Sequence, residues 1–170
     1  MKPPSLILQE FLSPLKCRDD NVLKIVEHKF TDYSNIIEQY YNVKVKEISS
    51  PTLSNDCNVI CDNSVYRRHW VRKNDYDFTG YIALSNYSKD VPFDEEYDVY
   101  GGELIFKNYG IKISPTMGDL IIFPSCANFL HYHSKPMVGQ FNYIKFFITC
   151  ENPYIFNFKE FSHKPFSHII

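Results

Sequence analysis

Apolar positions change their period part-way along the chain. Val22, Leu23, Ile25, Val26 and Phe30 recur at helical spacing behind Asp19-Asp20, which predicts a helix with an acidic residue as its cap. Thr31-Asp32 predicts the start of a second helix carrying Ile36, Ile37, Tyr40 and Tyr41, followed by a short strand near 43–48. Asn and Ser populate 49–64, which reads mostly as loop. From Val65 the pattern becomes short β-branched and aromatic runs, near 65–72, 78–86, 102–107, 119–123, 128–133 and 140–150, separated by turn residues. Close spacing of such runs predicts an antiparallel sandwich or barrel. Asn86–Tyr100 is a polar, acidic excursion between runs, of the length expected of a lid or binding loop. The segment 151–170 is aromatic but interrupted by Pro153 and Pro165, and is expected to pack outside the core. Helices first and strands after predict a single α+β domain over 1–170: a helical part at 1–48, a β core at 65–150 and a C-terminal extension.

Composition narrows the picture without changing it. The 170 residues are 44% hydrophobic and 22% charged, a globular balance, and the 16% aromatic content favours pleated structure. A net charge of −2 exerts no general pull on nucleic acid or membranes. No apolar run approaches a membrane span, and no signal-like segment follows Met1-Lys2-Pro3-Pro4, so a soluble, cytoplasmic protein is expected. Enrichment in Asn, Lys, Ile and Tyr is compatible with an AT-rich genome such as a phage's, in which case the compartment is the host cytoplasm. The five cysteines, at 17, 57, 61, 126 and 150, are odd in number and lack zinc spacing, and are expected to be reduced thiols.

Chemistry enters with Gly101-Gly102-Glu103-Leu104-Ile105-Phe106, where a glycine pair opens one apolar strand. A Gly-Asp turn opens another in Pro115-Thr116-Met117-Gly118-Asp119-Leu120-Ile121-Ile122-Phe123-Pro124-Ser125. Thr79-Gly80-Tyr81-Ile82-Ala83-Leu84-Ser85-Asn86 precedes both, and His131 follows, eight residues before Gly139. These four motifs, in this order, resemble the double-stranded β-helix, a jelly-roll or cupin-like core, of iron(II)- and 2-oxoglutarate-dependent dioxygenases. The resemblance is specifically to their prolyl 4-hydroxylase-like branch, and it covers about residues 65–150. Non-haem iron(II) oxygenases use two imidazoles and one carboxylate on one face, leaving positions open for the oxo-acid and dioxygen. A barrel supplies this by holding ligands on rigid strands.

The resemblance implies a metal triad and a co-substrate anchor. The spacing to Gly139 makes His131 the distal ligand, although His133 has the same strand parity and stays an alternative. The family's H-x-D is absent: His69 is followed by Trp70-Val71, and the nearest carboxylates are Asp75 and Asp77. With a lengthened loop, His69 and Asp75 complete the triad with His131. Asp77 in place of Asp75, or no intact triad, are the alternatives, and an Asp-Tyr-Asp triplet also reads as a solvated strand entry. The family's basic residue, ten positions after the distal histidine, falls on Phe141 here. Lys145 is the basic residue of the 140–150 run and shares the parity of 141, so it is the expected anchor for the 2-oxoglutarate carboxylate. Tyr143 on the same face, and Tyr81 on the earlier strand, are expected to assist. Arg67, Arg68, Arg72 and Lys73 surround His69 and read first as a solvated face, and second as a greeting surface for an acidic substrate. Trp70 reads as core or as a stacking surface.

The activity the resemblance implies is hydroxylation, by default of a prolyl residue in a peptide or protein. Iron(II) and 2-oxoglutarate are its cofactor and co-substrate, and ascorbate is a further candidate. The alternative is a catalytically degenerate β-helix domain acting as a binding or structural protein, which the irregular proximal motif keeps open. A nucleic-acid oxygenase is disfavoured by the near-neutral charge. Fold does not fix substrate.

Overall fold

A computed structural model of the chain describes residues 5–55, 76–88, 99–125, 129–155 and 166–169, with backbone alone at 87–88 and 166–169. In chain order the elements are β1 (Ser5–Leu8), α1 (Pro14–Cys17), α2 (Val22–Tyr41), β2 (Val45–Ile48), β3 (Thr52–Ser54), β4 (Phe78–Ala83), β5 (Tyr87–Ser88), β6 (Val99–Gly101), β7 (Leu104–Phe106), β8 (Ile111–Ile113), β9 (Leu120–Pro124), β10 (His131–His133), β11 (Pro136–Gly139), β12 (Tyr143–Cys150) and β13 (Phe166–Ile169). Among the described residues β13-β1-β9-β4-β12-β2 form one sheet, with β3 also on β12; β10-β7-β8 and β11-β6-β5 form two smaller sheets. Pairing is antiparallel throughout except β1 with β13 and β5 with β6. The expected run at 65–72, most of the 86–100 excursion, and Cys57, Cys61 and Cys126 lie outside the described residues. Of the thiols within them, Cys17 and Cys150 are free and buried, and burial pushes their pKa values up to about 11 and about 12.

The large sheet buries both faces, and the strand period divides its residues between two cores. One face carries Leu6, Leu8, Phe78, Ile82, Leu120, Ile122, Ile144, Phe146 and Ile148, covered by Val22, Val26, Ile37 and Tyr41 of α2. The other carries Ile7, Tyr81, Ala83, Ile121, Phe123 and Tyr143, and packs with Val99, Leu104, Phe106, Phe129 and Phe141. Gly80 is where the first core comes closest to the backbone. A Cβ there would stand 2.2 Å from the Phe146 ring, which itself packs at 4.8 Å on Phe30 of α2.

The helical part differs from the sequence expectation. One continuous helix spans 22–41 instead of two, because Val26, Phe30, Tyr33, Ile37 and Tyr41 keep three- and four-residue spacing straight through Thr31-Asp32. Asp19 does not cap it: its carboxylate accepts the Asn21 N–H at 2.7 Å. The helix stops at Asn42, left-handed at φ 54°, with Glu38 accepting the Val45 N–H and the Lys44 ammonium beyond it. β1 has no counterpart in the sequence reading, since four fully buried residues show no alternation. The C-terminal segment, expected outside the core, supplies β13 alongside β1.

Candidate active site

His131 and His133 lie on β10, whose partner β7 is the strand opened by the Gly101-Gly102 pair. Both side chains are buried while Tyr132 between them is half-buried, so the two imidazoles share one face, turned into the second core. The His131 ring lies 4.8 Å from Phe123 and 5.9 Å from Phe106. Its Nδ1 is 3.0 Å from the Phe129 carbonyl oxygen, and Nδ1 of His133 is 3.1 Å from that of Gly102. A carbonyl only accepts, so in the neutral ring each Nδ1 carries the proton and each Nε2 the lone pair. This is the arrangement of a metal-ligating histidine, whose other nitrogen donates to a backbone carbonyl and so fixes the ring.

Electrostatics keeps both rings neutral. Burial, then the Lys145 ammonium, pushes the His131 pKa down to about 3. Burial does the same for His133, to about 4, with Lys145 adding to it against the Gly102 hydrogen bond. The lysine thus bears on both imidazoles from β12. It stands on the inner face of that strand, directly across from Tyr81 of β4, with Nζ 5.3 Å from the centre of the Phe147 ring. Tyr143, two residues before it, is 1% exposed and stacks at 4.6 Å on Tyr81. His131, Tyr81, Tyr143 and Lys145 therefore face one interior.

Asp77 faces elsewhere. Its carboxylate accepts the Cys150 N–H at 2.7 Å and the Tyr154 N–H at 2.6 Å, and its own N–H donates to Ile148. Both oxygens are engaged in closing the end of β12. His69 and Asp75 lie outside the described residues, as do Trp70 and the Arg67, Arg68, Arg72 and Lys73 cluster. Among the described residues no three His, Cys, Asp or Glu side chains gather at a metal-sized site. Of the expected triad the described residues hold His131, a neutral, oriented imidazole on a rigid strand with the Lys145 ammonium near it, chemistry that iron(II) accepts.

Three features lay beyond the sequence reading. Phe141, at the position where the resemblance expects a basic residue, is 1% exposed and stacks at 4.5 Å on His133. The Gly102 carbonyl holds His133. Tyr76 stacks on Phe147 at 4.2 Å with an interplanar angle of 13°, beside Lys145. The parity that put Lys145 on the face of Phe141 extends to Phe147.

No family model matches the chain, and no curated protein matches it in sequence. Solved structures do. The viral collagen prolyl hydroxylase of Paramecium bursaria Chlorella virus-1, in complex with 2-oxoglutarate, is similar over 85% of this chain and 95% of its own, with a TM-score of 0.56 at 15% identity. A truncated form of that enzyme covers 85% and 89%, with a TM-score of 0.53 at 14% identity. The chain has the fold of the prolyl hydroxylase-like 2-oxoglutarate and iron(II) oxygenases. The four sequence motifs thus sit in the jelly-roll architecture they resemble, of mostly antiparallel sheets. Among the described residues no helix is long and apolar enough to cross a membrane.

Proposed function

We propose that the chain is an iron(II)- and 2-oxoglutarate-dependent dioxygenase that hydroxylates a peptide or protein, by default at a prolyl residue. The observation that carries this reading is a neutral imidazole, His131, whose Nδ1–H is tied to Phe129. It is joined on one interior by the Lys145 ammonium, within a barrel of the prolyl hydroxylase fold. His69, Asp75 and His131 are the residues that would hold iron; Lys145, Tyr143 and Tyr81 would hold 2-oxoglutarate. Iron(II) bound with 2-oxoglutarate supplies dioxygen activation coupled to loss of carbon dioxide. Lys145 would supply the charge that a buried carboxylate needs. Phe123 and Phe106 exclude water from the His131 ring, and the Phe129 carbonyl sets its rotation.

A competing reading, a degenerate barrel that binds without turnover, draws on the engagement of Asp77 with the Cys150 and Tyr154 N–H groups. Turnover of 2-oxoglutarate to succinate with iron(II) and ascorbate separates the two. The dioxygenase reading expects iron-dependent succinate that His131→Ala abolishes. Succinate formation indifferent to that change sinks the site assignment, and none in the wild type under any prolyl peptide favours the binding protein.

A further inference from the structure

The segment between β1 and α1 holds one residue against its backbone preference. Glu10 is left-handed at φ 54°, one of two non-glycine residues with positive φ among the described residues. Its side chain is exposed, so what offsets the strain is what holds its backbone. Asp119 does so: Oδ1 accepts the Glu10 N–H at 3.1 Å, while Oδ2 accepts the Thr116 N–H at 3.3 Å within its own turn. The Leu12 N–H donates to the Gly118 carbonyl at 3.0 Å, and the Lys29 ammonium of α2 donates to the Phe11 carbonyl at 2.6 Å. Phe11 and Leu12 are each 1% exposed. Glycine permits this approach, since a Cβ at Gly118 would overlap the Leu12 carbonyl oxygen. Residues 9–12 are thus a strap, pinned by the Gly118-Asp119 turn on one side and by α2 on the other.

The same turn is bonded to the end of β4. The Gly118 N–H donates to the Ala83 carbonyl at 2.8 Å, and the Ala83 N–H donates back to the Asp119 carbonyl at 3.1 Å. The next two residues hold the loop that enters β12. The Leu84 N–H donates to the Asn142 carbonyl at 3.0 Å, and the buried Ser85 hydroxyl accepts the Asn142 N–H at 2.7 Å. Phe141, beside Asn142, stacks at 4.5 Å on His133. Hydrogen bonds between chain neighbours therefore lead from Glu10 through Asp119, Ala83 and Asn142 to the ring that backs His133.

We propose that Asp119 is a positioning residue: its carboxylate seats the strained strap, and the seated strap holds the Phe141–Asn142 loop against His133. The device has two states, which is what coupling between distant residues requires. Seated, Glu10 is left-handed and the turn is closed between Leu12 and Ala83. Released, Glu10 returns to ordinary backbone, and the turn, freed of Leu12, loosens its grip on Ala83. Strain at Glu10 favours release, and the Asp119 carboxylate opposes it. The proposal goes beyond the oxygenase reading and invokes neither metal nor co-substrate.

Amide hydrogen exchange and nitrogen NMR of the histidine rings, both on the full chain without metal, test it. Asp119→Ala is expected to speed exchange at Glu10 and Leu12 by about 5–150-fold, the range set by loss of one buried acceptor. Exchange at Leu84 and Asn142 is expected to rise with it and the His133 ring signals to shift, while Ile144, Phe146 and Ile148 stay protected. Adding Glu10→Gly to Asp119→Ala is expected to restore part of that protection, because glycine is left-handed without strain. Faster exchange confined to Glu10 and Leu12, with Leu84, Asn142 and the His133 ring unmoved, makes Asp119 a local clasp and overturns the positioning role. No recovery in the double variant overturns the part assigned to strain. Should Asp119→Ala not fold, Asp119→Asn, which keeps one acceptor oxygen, is expected to show smaller changes at the same groups, and their absence overturns the proposal equally.

Discussion

β12 serves two cores with one stretch of chain, and its two faces differ in kind. Ile144, Phe146, Ile148 and Cys150 point to the helix side, into an apolar core continuous with α2. Tyr143, Lys145 and Phe147 point to the barrel interior, where aromatic rings surround two imidazoles and a cation. The helix-side face can be filled by area burial alone, roughly 25 cal/mol for each Å² removed from water. The interior face gives up part of that, because each buried polar group there must be hydrogen-bonded or paired. A strand whose alternate residues obey different rules holds a site still because its other face is bolted down.

The largest effects come from substitutions one residue apart. Phe146→Ala removes a fully buried ring wedged between Gly80 and Phe30, and is expected to destabilise the chain by about 3–5 kcal/mol. Lys145→Ala, its neighbour in sequence, is expected to change stability by about 1 kcal/mol or less, the scale of its contact with Phe147. It should instead weaken 2-oxoglutarate binding by about 30-fold or more, the cost of removing one member of a desolvated charge pair. Denaturant melts and co-substrate titrations of both variants check the division. If Lys145→Ala unfolds the chain as readily as Phe146→Ala, the two faces are not distinct.

Acid should sharpen the contrast next, because only the interior face carries depressed imidazoles. In the unfolded chain His131 and His133 titrate near 6.5, whereas folded they titrate at about 3 and about 4. Between those values the unfolded state binds more protons, so stability is full above pH 6.5 and falls as pH drops toward 4 and then 3. Two groups together give a loss on the order of 2–4 kcal/mol between pH 7 and pH 5. Denaturant melts of the metal-free chain across that range measure it, and His133→Phe is expected to halve the slope. A smaller effect belongs to Asp77. Asp77→Ala leaves the Cys150 and Tyr154 N–H groups without their acceptor, a cost of about 1–3 kcal/mol, and iron affinity is expected to stay unchanged. Loss of iron binding in that variant would return Asp77 to the metal site.

What was legible in the sequence follows from the same division. Order and turn residues placed β4, β7, β9, β10 and β12, because Gly101-Gly102 and Gly118-Asp119 mark their starts and β-branched and aromatic runs follow. Parity from 141 to 145 placed Lys145 inside, since period-2 alternation is the one long-range fact a strand writes locally. β1 was not legible, because a strand buried on both faces loses its alternation. Nor was the continuity of α2 read, because Thr31-Asp32 resembles a cap, although the apolar spacing from Val26 to Tyr41 runs straight through it. The setting of His133 depends on Gly102 and Tyr81, distant in sequence, and the role of Asp77 depends on two N–H groups more than seventy residues away.

The central claim is that His131 presents an oriented lone pair to iron, and oxygen-free titration of iron(II) into the full chain, wild type against His131→Ala, tests it most directly. The account expects one ion bound per wild-type chain, and loss of that binding in His131→Ala with the denaturant melt preserved. Iron(II) binding of equal stoichiometry and affinity in both proteins would contradict it.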